Sequence, residues 1–582
     1  MILDKINYPT DLKKINLSEM EALAEEMREL IIEKVNTTGG HFGPNLGIVE
    51  ATIALHYVFD TPKDKIVFDV SHQCYPHKML TGRKAGFLNK EDYLKYTGYT
   101  APEESEYDLF KVGHTSTSVS LAVGVAKARD IKGENYNVIA LIGDGSLSGG
   151  EAFEGLDNGA VLGSNFIVVV NDNDQSIAEN HGGIYKNLQA LRETDGKAEN
   201  NYFKSLGYDY YFVKEGNNIK DLIEVFQKVK NINHPVVVHI YTQKGKGYKA
   251  AEENKENFHW ILPGALDEKK SGNHYTETFE SLTKDYLLKK VKEDKSVVVL
   301  NAGTPGVFGF NSDFRKELGD NYIDVGIAEE HAVACASAIA KEGGKPVLAV
   351  MSSFIQRTYD QLSQDLALNN SPAVILVYWG GISSADATHL CTFDIPMVSN
   401  IPNLVYLSPA YKEEYLKMLN WAIEQKEHPV VIRVPSMETV EFGEEDKTDY
   451  SILNKYQKIS QGENVAIIGL GSFCHKAYEL KKYLDEKLNL NSTLINPRFI
   501  TGVDSEMLEE LKKNHKIVIT LEDGEIDGGF GEKISRYYAN SDMKVLNYGS
   551  HKEFTDRVPM EELLKRYRLR NDLICEDVMK LL

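Results

Sequence analysis

The chain has 582 residues, with 65 Lys and Arg against 86 Asp and Glu, which gives a formal net charge of −21. This balance argues against nucleic acid as the main partner, because surfaces that follow phosphates need clustered positive charge. A hydrophobic fraction of 42% and a charged fraction of 26% exclude wholesale disorder. The length predicts three or four domains.

The five cysteines argue against a secreted scaffold. Their count is odd, and the chain has no Cys-x-x-Cys pair, so neither a disulfide framework nor a thiolate zinc site is expected. The N-terminal residues lack an apolar signal core, and no stretch approaches the roughly 18 apolar residues that a membrane helix needs. We therefore expect a cytoplasmic protein with no membrane segment.

The first predicted element is a helix. Ser18–Glu21 reads as a capping box, and the helix should continue over Glu21–Val35. Further along, short apolar runs rich in Val and Ile alternate with amphipathic segments. The runs are Val138–Ile142, Phe166–Val170, Pro235–Ile240, Val297–Leu300, Val347–Met351, Ala373–Tyr378, Val465–Ile468 and Ile517–Leu521. This alternation is typical of parallel strands buried on both faces, so the predicted fold class is α/β.

Two changes in composition predict domain boundaries. The chain becomes polar and irregular around Ala250–Glu280, and acidic around Ser436–Tyr450. We therefore expect three α/β domains, each built on a mostly parallel sheet flanked by helices, over residues 1–275, 276–445 and 446–582.

One pair of turns carries the clearest chemical signal. Asp144 follows an apolar strand, and Asn173 follows the next strand along the chain. Neighbouring strand ends would bring one carboxylate and one amide oxygen together, a sparse set of the kind that Mg²⁺ uses with water and phosphate oxygens. Gly145 and Ser146 should open the intervening helix, where free N–H groups favour a phosphate. The alternative is a turn with a capping aspartate, since Gly-Asp-Gly alone is common.

Six longer stretches carry a resemblance to a known family. They are Gly39–Gly47, Asp69–Lys78, Val112–Ser118, Lys244–Tyr248, Ile327–Ala332 and Phe354–Gln361. In this order they resemble the 1-deoxy-D-xylulose-5-phosphate synthase family of thiamine diphosphate enzymes, and the resemblance covers nearly the whole chain. It implies a transketolase-like fold, a homodimer, and a cofactor bound between the first two domains.

The resemblance also implies roles for individual residues. Mg²⁺ would be held by Asp144, Asn173 and the backbone carbonyl of Gln175. The residues implied to bind thiamine diphosphate are His72, Gly113, His114, Thr115, Gly145, Ser146, Asn173, Ile177, Tyr248, Glu329 and Phe354. Glu329 would contact N1′ of the aminopyrimidine and promote loss of the proton at C2 of the thiazolium ring. The alternative for Glu329 is a carboxylate that favours a helix N-terminus.

Substrate contacts follow from the same resemblance. The residues implied to face the substrate as catalytic groups are His41, His72, His114, His259, His389 and Asp386, and Arg357, Asp386 and His389 would bind it. Without the family, each histidine would be structural more often than not. A zinc pair of His72 and His77 is not expected, because Pro76 between them disrupts helical i, i+4 geometry.

The implied reaction is the decarboxylative condensation of pyruvate with glyceraldehyde 3-phosphate to 1-deoxy-D-xylulose 5-phosphate and CO₂. The acceptor side departs from the family pattern. Trp379 and Ser436 stand where the family has phosphate-binding arginines, Met351 replaces a tyrosine, and the loop Ser383–His389 is one residue shorter. Arg357, Arg433 or a lysine could compensate. Two alternatives stay open: a different aldehyde acceptor, with or without a phosphate, and a non-catalytic relative that binds thiamine diphosphate.

Overall fold

The computed structural model describes residues 1–267, 276–436, 438–441 and 446–582. Two compact units result: Met1–Asn273 with Gly326–Ala328, and His274–Val325 with Glu329–Leu582. The predicted domain ends at residues 275 and 445 lie outside the described residues, so the three-domain division stays a prediction.

The strands of the first unit are β1 (Gly40–His41), β2 (Lys65–Phe68), β3 (Val138–Gly143), β4 (Phe166–Asp172), β5 (Asp209–Val213), β6 (Pro235–Tyr241) and β7 (Trp260–Ile261). Five of them form a parallel sheet with the order β2-β3-β4-β6-β5, and β1 and β7 form a separate antiparallel pair. Gly143 pairs with Asn171, so the residues that follow β3 and β4 emerge side by side at the carboxyl edge of this sheet.

Helices cover both faces of this sheet. They are α1 (Pro9–Leu12), α2 (Leu17–Thr38), α3 (Gly43–Gly47), α4 (Val49–Val58), α5 (Tyr75–Lys78), α6 (Ala85–Leu88), α7 (Ser118–Lys132), α8 (Gly150–Gly159), α9 (Gly183–Glu193), α10 (Tyr202–Leu206), α11 (Ile219–Val229) and α12 (Lys249–Glu253). The predicted cap of α2 is wrong. Asn16, not Ser18, is its N-cap, and Asn16 and Glu19 exchange side-chain-to-backbone hydrogen bonds of 3.0 and 3.1 Å.

The strands of the second unit are β8 (Val297–Asn301), β9 (Tyr322–Asp324), β10 (Lys345–Met351), β11 (Val374–Tyr378), β12 (Val405–Leu407), β13 (Val430–Arg433), β14 (Gln457–Ser460), β15 (Asn464–Gly469), β16 (Thr493–Asn496), β17 (His515–Glu525) and β18 (Lys544–Ser550). They form two sheets. One has six parallel strands in the order β12-β13-β11-β10-β8-β9, and the other has the order β14-β16-β15-β17-β18, with β14 antiparallel to β16.

The helices of the second unit are α13 (Phe279–Glu293), α14 (Ser312–Leu318), α15 (Glu329–Lys341), α16 (Asp394–Val398), α17 (Lys412–Glu424), α18 (Phe473–Leu488), α19 (Ser505–Leu511), α20 (Phe530–Tyr538), α21 (Met560–Arg566) and α22 (Asn571–Met579). Among the described residues, no helix is both long and apolar enough to cross a membrane.

Burial on both sheet faces explains why the strands were readable from the sequence. In β3, Ile139 and Leu141 belong to one apolar cluster, and Ala140 and Ile142 belong to another. A strand buried on both faces is apolar at every position, and it therefore appears as a continuous Val- and Ile-rich run. All eight predicted runs are strands, and the predicted α/β fold of parallel sheets flanked by helices is confirmed.

Candidate functional site

The ends of β3 and β4 form the first part of the candidate site. Asp144 is 2% exposed, and its Oδ2 accepts hydrogen bonds from the backbone N–H of Gln175 at 3.0 Å and from Asn180 at 2.8 Å. Burial, together with the charge on Asp172, raises the pKa of the Asp144 carboxyl to about 7. Oδ1 of Asn173 is buried without a protein hydrogen-bond partner. A buried carboxylate beside an unsatisfied amide oxygen is an arrangement that a bound cation would stabilise.

The turn after Asp144 differs from the sequence prediction. Gly145 and Ser146 lie in a 3₁₀ turn over Asp144–Ser148, and α8 begins only at Gly150, so they do not open the helix directly. A Cβ on Gly145 would lie 2.6 Å from Oγ of Ser176. Only glycine therefore fits this position, and the backbone here stays open to a close ligand.

Asp69 and Ser71 join three predicted cofactor segments within the first unit. The Asp69 carboxylate accepts from the backbone N–H of Ser116 and Ser118 at 2.9 and 3.1 Å. The Ser71 hydroxyl donates to the carbonyl of Val112 at 2.7 Å. The loop Gly113–Thr115 is thereby tied to the segment that carries His72. Oγ of Ser116 donates to the carbonyl of Ser146 at 2.8 Å, which adds the turn after β3.

Three of the predicted histidines form one cluster. The ring of His259 lies 5.4 Å from that of His72 and 5.6 Å from that of His41, and the rings of His41 and His72 are 4.9 Å apart. His114 is half-buried on the loop that precedes α7. Tyr248, the N-cap residue of α12, packs edge-to-face on Phe42 with ring centroids 5.3 Å apart.

A buried lysine with no predicted role lies in the same cluster. Nζ of Lys244 is 3.0 Å from Nδ1 of His259 and donates to the carbonyl of Ser176 at 2.6 Å. Burial lowers the pKa of Lys244 to about 7. Burial and the Lys244 charge hold the pKa of His259 well below its ordinary value. The only sign in the sequence of the importance of Lys244 was its place at the start of the family stretch Lys244–Tyr248. Half-buried Ile177 follows Ser176 directly.

The second unit carries a separate group of predicted residues. Glu329 begins α15, is 3% exposed, and lies with Oε2 at 3.5 Å from Nη1 of Arg357. Burial raises the pKa of Glu329, and the Arg357 charge opposes this. Phe354 follows β10, and its ring is 5.9 Å from that of His389 in edge-to-face geometry. A protonated Glu329 can donate a hydrogen bond to a ring nitrogen, which an ionised carboxylate cannot do.

The loop after β11 positions the two remaining substrate residues. Oδ1 of Asp386 accepts from the N–H and the hydroxyl of Thr388 at 3.1 and 3.0 Å. The Thr388 hydroxyl also lies 2.9 Å from Nδ1 of His389. Burial lowers the pKa of His389, so its imidazole is neutral near pH 7.

Arg433, one of the possible compensating cations, is not available to a substrate. It is 4% exposed, and its Nε donates to Asp394 at 2.6 Å while Nη1 donates to Asp523. Burial opposes its charge, yet the two carboxylates hold the pKa of the guanidinium well above its ordinary value. Tyr406 also donates to Asp394, at 2.5 Å, and Ser472 donates to Asp523 at 2.6 Å.

Family models match nearly the whole chain. The model described as 1-deoxy-D-xylulose-5-phosphate synthase matches residues 3–200 and 194–242. The transketolase pyrimidine binding domain matches residues 278–440, and the transketolase C-terminal domain matches residues 454–574. A curated 1-deoxy-D-xylulose-5-phosphate synthase from Clostridium tetani is 37% identical over 100% of this chain and 99% of its own length.

The chain belongs to the 1-deoxy-D-xylulose-5-phosphate synthase family. Two further synthases of this name, from Carboxydothermus hydrogenoformans and Dictyoglomus thermophilum, are each 38% identical to it. They cover 98% and 100% of this chain and 97% and 99% of their own lengths. The chain is therefore an enzyme, a transferase of the transketolase type.

Within this synthase family member, each unit brings its own predicted residues together. In the first unit, Asp144, Gln175 and the Asn173 turn adjoin, and His41, His72 and His259 cluster. In the second, Glu329 adjoins Arg357, and Phe354 adjoins His389. Within the described ranges, no cluster of three or more His, Cys, Asp and Glu side chains could hold a metal. A site of one carboxylate, one amide and one carbonyl is consistent with that finding.

Proposed function

We propose that this chain catalyses the decarboxylative condensation of pyruvate with a small aldehyde, dependent on thiamine diphosphate and Mg²⁺. The relatives' name identifies their product as 1-deoxy-D-xylulose 5-phosphate. Glyceraldehyde 3-phosphate is therefore the first acceptor to consider, with CO₂ as the second product. The observation that carries this proposal is the buried Asp144 carboxylate beside the unpartnered amide oxygen of Asn173.

The residues of the first unit fit the charged end of the cofactor. Asp144, Asn173 and the carbonyl of Gln175 supply three oxygen ligands, which suits Mg²⁺ completed by water and diphosphate oxygens. Gly145 leaves room for a close oxygen, because its missing Cβ would otherwise meet Ser176. Gly113, Thr115 and Ser146 lie on backbone segments that Asp69 and Ser71 hold together.

The residues of the second unit fit the pyrimidine end. Glu329 presents a buried carboxyl with a raised pKa, which favours a hydrogen bond with N1′ of an aminopyrimidine. Phe354 supplies an aromatic surface for the ring. When bound, thiamine diphosphate supplies the electron sink that lets the C1–C2 bond of pyruvate break with loss of CO₂.

The remaining polar groups orient substrates and move protons. His41, His72 and His259 form a cluster in which neutral imidazoles can donate or accept a proton near pH 7. We propose the same role for His114, and for His389 with Asp386. Arg357 would offer its guanidinium to a carboxylate or carbonyl oxygen of the substrate. The homodimer, the cytoplasmic location and the three-domain division also stay predictions.

A decarboxylation assay tests the proposal. Pyruvate labelled with ¹³C at C1 is incubated with the protein, thiamine diphosphate, Mg²⁺ and glyceraldehyde 3-phosphate, and labelled CO₂ and the ketose product are followed by NMR. We expect CO₂ release that requires both the cofactor and the metal. In parallel, glyceraldehyde and benzaldehyde replace the phosphorylated acceptor.

The outcome separates this proposal from a non-catalytic role. If thiamine diphosphate binds in a calorimetric titration but none of the aldehydes supports CO₂ release, the chain is a binding protein and the proposed reaction is wrong. The variant Asp157→Ala changes an exposed carboxylate on α8. It is the control for the effects that purification and an aspartate-to-alanine change by themselves have on folding and activity.

A further inference from the structure

We propose that the acceptor of this enzyme is a neutral aldehyde with an apolar face, which packs on Trp379 and is not held through a phosphate. This inference rests on the proposed function, because it names the substrate class of the same site. Two observations carry it. Trp379 exposes its indole from a strained backbone position. Arg433, which the loop of Trp379 covers, is neutralised by Asp394 and Asp523.

The position of Trp379 follows from the sheet. Tyr378 ends β11 and pairs with Met351 at the end of β10, and Phe354 comes three residues after Met351. The backbone N–H of Gly381 donates to the carbonyl of Cys391 at 2.7 Å, two residues beyond His389. Trp379 therefore belongs to the same carboxyl edge as the predicted pyrimidine and substrate residues.

The loop Trp379–Gly381 lies directly on the buried arginine. A Cβ on Gly380 would be 2.6 Å from Nε of Arg433, and one on Gly381, where φ is +143°, would be 3.0 Å from Oδ2 of Asp523. The backbone of this loop therefore covers Arg433, whose guanidinium donates hydrogen bonds to Asp394 and Asp523. Arg433, Asp394 and Asp523 together carry a formal net charge of −1, and this charge repels a phosphate dianion.

Two other arginines near this loop also have carboxylate partners. Nη1 of Arg357 lies 3.5 Å from Glu329. The backbone N–H of Arg557 donates to the carbonyl of Ala385 at 2.8 Å, and its Nε lies 3.4 Å from Asp556. A phosphate monoester is typically bound by guanidinium groups in bidentate geometry. Each of these two guanidinium groups therefore shares its charge with a neighbouring carboxylate, which leaves less of that charge for a phosphate dianion than a bare guanidinium would offer.

Trp379 itself is under backbone strain. Its φ is +63°, in the left-handed region that bulky residues rarely adopt, and its side chain is 46% exposed. Strain of this kind costs on the order of 1 kcal/mol, and it is concentrated at functional sites. The strained position presents an indole, whose flat apolar surface suits an aliphatic or aromatic aldehyde and whose single N–H is a poor match for a phosphate.

The overall reaction balances for such an acceptor. The C1–C2 bond of pyruvate breaks and CO₂ leaves, while the electron pair remains on the former keto carbon. That carbon forms the new bond to the aldehyde carbon, and the aldehyde oxygen takes up one proton. Pyruvate, one proton and RCHO therefore give CO₂ and the hydroxyketone CH₃–CO–CH(OH)–R, with no oxidant or reductant required.

The test compares three acceptors in the holoenzyme with thiamine diphosphate, Mg²⁺ and saturating pyruvate. They are glyceraldehyde 3-phosphate, glyceraldehyde and benzaldehyde, and kcat/KM is measured from CO₂ release. The variants are Trp379→Gly, which removes the indole and relieves the positive φ, and the double variant Trp379→Arg/Ser436→Arg, which supplies two guanidinium groups. Glycine is unstrained at this φ, so Trp379→Gly should fold.

We expect glyceraldehyde 3-phosphate to exceed glyceraldehyde by less than about tenfold in wild type, which is below the factor that one charge-assisted hydrogen bond to the phosphate would supply. Trp379→Gly should lower kcat/KM for benzaldehyde at least about tenfold, with little effect on glyceraldehyde. The double variant should raise the preference for the phosphorylated aldehyde. A wild-type preference above about tenfold, or an unchanged rate for benzaldehyde in Trp379→Gly, would overturn the inference.

Failure of the proposed function has a different signature. In that case, none of the three aldehydes supports CO₂ release, and the inference falls with the reaction it refines. Release with glyceraldehyde 3-phosphate alone, by contrast, supports the proposed function and overturns the neutral acceptor.

Discussion

Nζ of Lys244 lies 3.0 Å from Nδ1 of His259. While Lys244 is charged it can only donate, so Nδ1 of His259 then accepts and the ring proton is on Nε2. We therefore expect Lys244 to act as a positioning residue that determines which ring atom of His259 can donate a proton. Lys244 is buried and His259 is half-buried, which limits the access of water to this contact.

The first prediction concerns this tautomer. In protein with ¹⁵N-labelled histidine, long-range ¹H–¹⁵N spectra at about pH 6, where Lys244 is mostly charged, should show His259 protonated at Nε2. Lys244→Met should mix the two tautomers and raise the pKa of His259, because the neighbouring positive charge is lost. Lys249→Met, at a surface ion pair with Glu253, is the control. An unshifted His259 in Lys244→Met contradicts the assignment.

The second prediction concerns Glu329. Glu329→Gln keeps the shape of the side chain but removes its acidic proton and its negative form, so exchange of the C2 proton of bound thiamine diphosphate in D₂O should slow by orders of magnitude. Quenched-flow NMR of the cofactor measures the exchange rate. Glu330→Gln, one residue along α15, should exchange at the wild-type rate. Equal rates in wild type and Glu329→Gln would exclude this role.

The third prediction concerns retention of the cofactor. Asp144→Ala removes the only carboxylate among the three proposed metal ligands, so the affinity for thiamine diphosphate with Mg²⁺ should fall more than about tenfold, or 1.4 kcal/mol. Calorimetric titration measures it, with Asp157→Ala on α8 as the matched control. Undiminished affinity in Asp144→Ala would place the metal elsewhere.

The fourth prediction concerns stability and pH. The Thr61 hydroxyl lies 3.0 Å from Nδ1 of His56, Nε2 of His56 lies 2.8 Å from Nδ1 of His77, and Nε2 of His77 lies 2.7 Å from Asp108. With both imidazoles neutral, every ring nitrogen in this buried chain has a partner. The Thr61 hydroxyl can accept as well as donate, so these contacts can reverse to accommodate one added proton, but charging both imidazoles would place the N–H of His56 against the N–H of His77. Burial also lowers the pKa of both histidines.

Because these folded-state pKa values lie below the unfolded value of 6.5, the stabilisation is complete above pH 6.5 and is lost as pH falls toward the folded values. His56, whose folded-state pKa lies well below 6.5, should account for a loss of up to about 1.4 kcal/mol at pH 5.5, and His77 adds to it in the same direction. Thermal midpoints measured between pH 7.5 and 5.5 should therefore fall. His56→Asn should be less stable throughout and show a shallower fall. His234→Asn, at an exposed histidine, should retain the wild-type slope, and equal slopes in all three proteins would contradict the account.

The sequence alone determined the elements that repeat a local pattern. The strands of the three main sheets that carry long apolar runs are buried on both faces, so each appears as an uninterrupted Val- and Ile-rich segment. Asp144 and Asn173 were also recognisable, because parallel strands place their following residues at one edge. The ordered motifs identified the family because several long matches in one order rarely arise by chance.

Only the tertiary structure decided which charged side chains remain available to bind a ligand. Arg433 resembles a free cation in the sequence, yet it is neutralised by Asp394 and by Asp523, which is 90 residues away. Lys244 acquires its relation to His259 because the chain returns after α12. A charge's partners in a folded protein come from segments distant in sequence, and no local periodicity records those contacts. Burial then decides whether the charge binds a ligand or another residue of the chain.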